Sequence, residues 1–246
     1  ERQTGLGGAV QSLPPDDMAE NNAVNWKAWA DGATYTVQND AVDRTTGAAS
    51  IKGVTTGGFD TMLAYPTGIV ARWNLSQTTS LHFDLMAVNE NSFGFQGPNP
   101  WIVLRSASGG SIRYQPTHDH LNEAIDNWRH IEIPLAGNAD WERSTTGSPD
   151  IGDINSLEIH ADTWGYGFTL WVDGVGFDPP ACVGDLDDNG LVDDADFVVF
   201  IHAYNTLDCA DGAMPERCPA DFNADGNVDD ADFVAFVGSY NRLLCP

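Results

Sequence analysis

Basic residues are scarce in this chain: 11 Lys and Arg stand against 36 Asp and Glu in 246 residues, a net charge of −25. So acidic a surface is repelled by phosphate backbones and anionic lipid, which excludes nucleic acid and charged membranes as partners. Long apolar runs are missing as well. No stretch approaches the length of a transmembrane helix, so membrane insertion is excluded with it. Cysteine is absent before Cys182, and the 4 in the chain all fall in the last quarter. There is no nucleophile elbow, no His-Glu-x-x-His, no phosphate loop and no recognisable pair of glycosidase carboxylates. The expectation is a protein that is not an enzyme.

What the chain does have is a duplicated acidic unit. The stretch Gly184-Asp-Leu-Asp-Asp-Asn-Gly through Asp196 and its counterpart from Ala220 to Asp232 lie 36 residues apart, and the final 66 residues carry 14 acidic side chains against 2 basic. Oxygen-bearing groups fall at loop positions 1, 3, 5, 9 and 12 with Gly at 6, the spacing that wraps a hard cation in a twelve-residue loop. The first loop offers Asp185, Asp187, Asn189, the Leu191 carbonyl, Asp193 and Asp196. The second offers Asp221, Asn223, Asp225, the Asn227 carbonyl, Asp229 and Asp232. Two calcium ions are the expected cofactors. Gly190 and Gly226 supply the sharp turn. After each loop, Phe197, Phe200, Ile201 and Tyr204, and then Phe233, Phe236, Val237 and Tyr240, repeat at i, i+3, i+4 and i+7, which predicts one amphipathic helix per loop. A string of Asp-rich repeats of the thrombospondin kind would lack those helical stripes.

On these motifs residues 182–246 resemble a type I dockerin, a tandem of calcium loops each followed by a helix. The resemblance implies calcium-dependent folding and attachment to a cohesin-type protein partner. It departs from the best-known pattern at loop positions 10 and 11, which are Asp194-Ala195 and Asp230-Ala231 here, and at the later basic positions, which hold Ile201-His202 and Val237-Gly238. The four cysteines follow the repeat and permit three pairings. Antiparallel packing about a pseudo-two-fold axis favours Cys182–Cys245 with Cys209–Cys218. Pairing within each repeat, Cys182 with Cys209 and Cys218 with Cys245, obeys the same symmetry but must return a helix end to the loop before it. Disulfides and millimolar calcium sites both belong to an oxidising, calcium-rich medium, so an extracellular or cell-surface location is expected, with Glu1 taken as a processed start.

Residues 1–20 lack periodicity and read as a leader or lead-in strand; 21–178 form a β domain; 179–183, around Pro179-Pro180, are a semi-rigid linker; 184–246 are the calcium-loop domain. In the β domain, short runs separated by turns predict strands at 33–38, 49–55, 60–65, 71–75, 80–88, 101–106, 111–114, 128–135, 156–161 and 168–177, with a helix no longer than 121–127. The fold class is therefore mainly β, an antiparallel sandwich or jelly roll followed by a small α-helical paired calcium-loop domain. Asp40 to Lys52, Asn127 to Leu135 and Phe168 to Phe177 resemble strands of galactose-binding-like jelly rolls, a fold of many carbohydrate-binding modules. That resemblance implies a structural calcium at Asp43 and Asp173; the alternative is a solvated turn Asp and a strand-end Asp capping local amides.

Sugars stack on exposed rings while polar side chains bridge hydroxyls. Glycine-flanked Trp164 and Tyr166 are the best candidates, followed by Trp101 and Trp141, with the loops 89–100 and 137–150 long enough to form a binding rim. Trp73, Trp128 and Trp171 belong within strands. His118-Asp-His120 suggests zinc but lacks a third ligand at fixed spacing. Carbohydrate binding by a secreted, non-catalytic protein is the expected function. A structural surface component without a sugar site is the alternative, and a small glycan-active enzyme a more distant one.

Overall fold

The computed structural model describes residues 14–66, 72–76, 78–178, 184–187, 189–215, 218–222 and 225–241. The chain divides into two compact units, Glu1–Asp178 and Pro179–Pro246. In order, the first contains β1 (Lys27–Ala30), β2 (Tyr35–Asp40), β3 (Ser50–Thr55), β4 (Thr61–Tyr65), β5 (Ser80–Val88), β6 (Trp101–Ser106), β7 (Ser111–Pro116), α1 (His120–Glu123), β8 (Arg129–Pro134), β9 (Trp141–Thr146), β10 (Ile154–His160) and β11 (Phe168–Asp178). The second contains α2 (Asp194–Thr206) and α3 (Asp230–Tyr240).

The strands form two antiparallel sheets. A six-stranded sheet runs β1-β4-β10-β6-β7-β9 and a five-stranded sheet runs β2-β3-β11-β5-β8. Alternation explains the layering, because successive side chains of a strand leave on opposite faces. In β5, Leu81, Phe83, Leu85 and Ala87 are fully buried while His82, Asp84, Met86 and Val88 face outward. Ile102, Leu104, Ile112, Tyr114, Leu157 and Ile159 point inward from the other sheet and complete one continuous core. The lead-in segment joins it: Met18 and Ala19 are fully buried, and the Met18 N–H donates to Val175 O at 2.8 Å.

The differences from the sequence expectation have local causes. Residues 137–150 are not one long loop, since β9 occupies Trp141–Thr146 and pairs with β7. Its Trp-Glu-Arg-Ser-Thr-Thr sequence has one apolar residue, so an edge strand held by its ladder leaves no hydrophobic alternation to read. Strand β1 was missed because it is four residues long at the opposite edge. The strand expected at 71–75 is, within the described residues, a single bridge between Trp73 and Ile154. The helix expected at 121–127 is α1 alone, and Asp126, at φ +54°, lies beyond its end.

In the second unit the repeat generates a local pseudo-two-fold. Phe200 of α2 and Phe236 of α3, equivalent positions, stack on each other with centroids 4.8 Å apart. Tyr204 Oη donates to Asp230 Oδ1 at 2.6 Å, and Tyr240 Oη donates to Asp194 Oδ1 at 2.5 Å. Cys209 and Cys218 are disulfide-bonded with Cα atoms 5.4 Å apart. Closing so short a loop removes about 2–3 kcal/mol of unfolded-state freedom. Cys182 and Cys245 lie outside the described residues.

Because all 8 Trp precede Cys182, tryptophan fluorescence reports the sandwich alone. Phe83→Ala is expected to lower sandwich stability by about 3–5 kcal/mol in guanidinium melts followed this way. A loss under about 1 kcal/mol would contradict the core described here.

Candidate functional site

The two acidic loop segments repeat each other's hydrogen bonds where both are described. Asp185 accepts from Asn189 N at Oδ1 (3.0 Å) and from Gly190 N at Oδ2 (2.8 Å). Asp221 accepts from Asp225 N at Oδ1 (3.1 Å) and from Gly226 N at Oδ2 (2.9 Å). Gly190 and Gly226 sit at φ +85° and +89°, conformations that a side chain would strain. Asp193 and Asp229 cap α2 and α3 through reciprocal capping boxes with Asp196 and Asp232.

Asp196 is fully buried. Its Oδ1 accepts from Leu186 N and Asp187 N at 2.6 and 3.1 Å, and its Oδ2 accepts from Asp193 N at 2.8 Å. Asp232 repeats this with Phe222 N at 2.8 Å and Asp229 N at 3.0 Å. Carboxylate oxygens of Asp185, Asp187 and Asp196 converge to within 4.8 Å of one another. At an effective dielectric of about 20, each such pair repels by roughly 3 kcal/mol before salt screening. Three pairs come to several kcal/mol, comparable with the entire stability of a domain this small. A divalent cation reverses the sign of that term, and an all-oxygen set is what calcium takes. Asn189 Oδ1 accepts from Leu191 N at 2.8 Å, shaping the middle of the loop, and Asn227 forms a bridge with Asp208. Asn223 lies outside the described residues.

The sandwich carries a second candidate site at one end. Four aromatic rings stand exposed there: Phe59 (59%), Phe93 (69%), Trp164 (48%) and Tyr166 (47%). They come from three connections that the backbone draws together. Thr163 is buried, and its hydroxyl accepts from Tyr166 N at 3.1 Å and donates to Tyr166 O at 2.6 Å, tightening the Trp164–Tyr166 turn. Gln96 N donates to Asp162 O at 2.8 Å, and Phe95 bridges Thr163, tying loop 89–100 to that turn. The Phe59 ring lies against Gly165, 3.3 Å from where a Cβ would stand, and Gly165 sits at φ +83°, a conformation that favours glycine. Phe93 stacks on Tyr166 with centroids 6.3 Å apart at 27°. Beside this pair is a shallow hollow of about 430 Å³ lined by Glu90, Asn91, Ser92, Phe93, Tyr166 and Gly167.

Trp101 and Trp141 do not join the rim. Trp141 opens β9 and is 3% exposed, packed in the core rather than displayed on a loop. Trp101 opens β6 with its ring between two neighbours: His160 stacks on it at 3.5 Å and 15°, and the Arg113 guanidinium lies 3.9 Å from its centroid. Strands β10 and β7 flank β6 on opposite sides, so both ring faces are covered and none is left for a sugar. Phe59, Phe93 and Glu90 were missed by sequence reasoning. The glycine-flanking signal that singled out Trp164 is present at Gly57-Gly58-Phe59 and Phe93-Gly94 and would have found both rings.

Asp173 is fully buried on β11. Its Oδ2 accepts from Thr45 N (2.6 Å), Thr46 N (2.9 Å) and Thr45 Oγ1 (3.0 Å), and its Oδ1 from Gly174 N (3.0 Å). Asp43 meets the same turn through its backbone, where its carbonyl accepts from Ser50 Oγ at 2.6 Å. Among the described residues, no cluster of three or more His, Cys, Asp or Glu ligand atoms includes either residue. The arrangement is that of a carboxylate capping turn amides.

No protein-family model matches this chain, and no curated protein matches it. Among solved structures it is similar to the family 11 carbohydrate-binding module of the cellulosomal cellulase Lic26A-Cel5E of Clostridium thermocellum. That match has 15% identity and a TM-score of 0.46, and it covers 69% of this chain and 96% of that one. A family 30 carbohydrate-binding module matches at 15% identity and a TM-score of 0.41, covering 59% of this chain and 74% of that one. An exo-β-agarase matches at 12% and 0.47, covering 68% of this chain and 25% of its own length.

Calcium titrated into the chelator-treated full chain is expected to fill two sites, and Asp185→Ala and Asp221→Ala are each expected to lose one ion by calorimetry. Unchanged stoichiometry in both variants would contradict the cage geometry.

Proposed function

We propose that the chain is a secreted, non-catalytic binding protein: the sandwich grips a carbohydrate at its aromatic rim, and the C-terminal unit is a dockerin-like module clamped by two calcium ions. The observation that carries the sugar reading is the convergence of four exposed rings, Phe59, Phe93, Trp164 and Tyr166, beside a polar hollow. Rings of this size are normally buried, and four together at one end mark a contact surface. Aromatic faces suit the apolar face of a pyranose, while Glu90, Asn91 and Ser92 supply hydroxyl partners around them.

Glu90 is the one carboxylate among the described residues lining that hollow. Glycoside hydrolysis needs two carboxyl groups set across the bond, so the rim is better suited to holding a glycan than to cleaving it. Asp173 Oδ2 already accepts from the Thr45 and Thr46 amides, so Asp43 and Asp173 hold the turn without a third calcium.

For the C-terminal unit, the equivalent pairs Phe197-Val198 and Phe233-Val234 are exposed on α2 and α3. A module this small that leaves the same apolar pair uncovered twice fits attachment to a protein partner of cohesin type, with the cations holding the two helices in register. The Cys209–Cys218 disulfide suits an extracellular or cell-surface setting. Among the described residues, no helix is long and apolar enough to cross a membrane.

Glycan-array screening followed by titration of the best ligand is expected to show Tyr166→Ala and Phe93→Ala each weakening binding about tenfold, roughly 1.4 kcal/mol. Binding that survives both substitutions would place any sugar elsewhere, and the absence of any glycan ligand would favour a structural surface role.

A further inference from the structure

His118 and His120 flank Asp119 where β7 gives way to α1, and Glu123 follows one turn later on the same helix. One nitrogen from each ring and one carboxylate oxygen of Glu123 lie within 4.8 Å of one another. The third ligand that the His-Asp-His motif lacked as sequence is supplied by the helical turn, because residues three apart on a helix share a face.

The backbone beneath this cluster is fixed. Thr117 N donates to Asp140 O at 2.9 Å, Asp119 caps α1 by accepting from Asn122 N at 3.1 Å, and Leu121 is fully buried with its N–H donating to Asn99 O at 3.2 Å. The His120 ring lies flat on the buried Trp141, with centroids 5.1 Å apart at 8°, and that contact sets its plane. His118 packs against it at 4.0 Å between centroids. Nε2 of His120 is buried and has no hydrogen-bond partner, an orphaned polar atom of the kind that native proteins normally satisfy.

We propose that His118, His120 and Glu123 form a binding site for a zinc-class divalent transition-metal ion, with water as the fourth ligand. Two imidazoles and one carboxylate are a borderline-soft set that suits zinc and its neighbours, whereas calcium prefers oxygen alone. The site is therefore chemically separate from the Asp-rich loops of the C-terminal unit. Trp141 acts as the positioning residue, holding one ligand ring in place as outer groups do at metal centres. The ion would tie the segment after β7 to α1.

The test is calorimetric titration of zinc sulfate into the full chain held in saturating calcium, so that the Asp-rich loops are already filled. One zinc per chain is expected, and cobalt(II) in its place should give the intense visible absorption of four-coordinate sites. His118→Ala and Glu123→Gln alter exposed side chains and are expected to keep the wild-type tryptophan fluorescence while weakening zinc roughly 100-fold or more. No zinc uptake by the calcium-loaded wild type would overturn the proposal. So would equal uptake by the two variants, since the ion would then be held elsewhere.

Discussion

A buried carboxylate must be met by donors or by a cation, and among the described residues three aspartates feel that condition most strongly. Asp173, Asp196 and Asp232 are at most 1% exposed. Stripping water from one such ion costs several kcal/mol, while hydrogen bonds to a charged group return about 1.5–3 kcal/mol each. Each of the three accordingly sits where backbone N–H groups from more than one segment converge. Asp173 fastens the turn after β2 to β11, and Asp196 and Asp232 fasten each acidic loop to the start of its helix.

The two units meet this condition differently. In the sandwich, donors suffice: amides and one threonine hydroxyl surround Asp173, and the two-layer core supplies the stability. In the C-terminal unit Asp185 and Asp187 crowd the same space as Asp196, and their mutual repulsion is of the order of what a small core can provide. That core consists of Val192, Phe200, Ala203, Ala220, Val228 and Phe236, stapled by one described disulfide. On the proposed reading, divalent ions hold these carboxylates together and the unit folds around them. The ring-bearing end of the sandwich and the exposed Phe-Val pairs of α2 and α3 both present apolar surface from an intensely acidic chain.

The two C-terminal helices were legible in the sequence, because their information is local: a helical stripe after each acidic loop, written twice. The central strands were legible for the same reason, as Leu81-His-Phe-Asp-Leu85 shows by alternation alone. Strand β9 was not, since its pairing with β7 is a matter of backbone hydrogen bonds that its polar side chains do not announce. The rim was half legible. Trp164 and Tyr166 are marked by their flanking glycines, but their meeting with Phe59 and Phe93 depends on contacts between segments about 70–105 residues apart in sequence. Trp101 and Trp141 failed as rim candidates because loop and strand start look alike in sequence, and burial is decided by what packs against them, here His160 with Arg113 and the core.

The most direct test of the claim that cations hold the C-terminal unit together is amide hydrogen exchange on the intact chain, with calcium and after exhaustive chelation. The account predicts that protection of α2 and α3 collapses on chelation while β5, β6, β10 and β11 exchange as slowly as before. Helices that stay fully protected without any bound metal would contradict it.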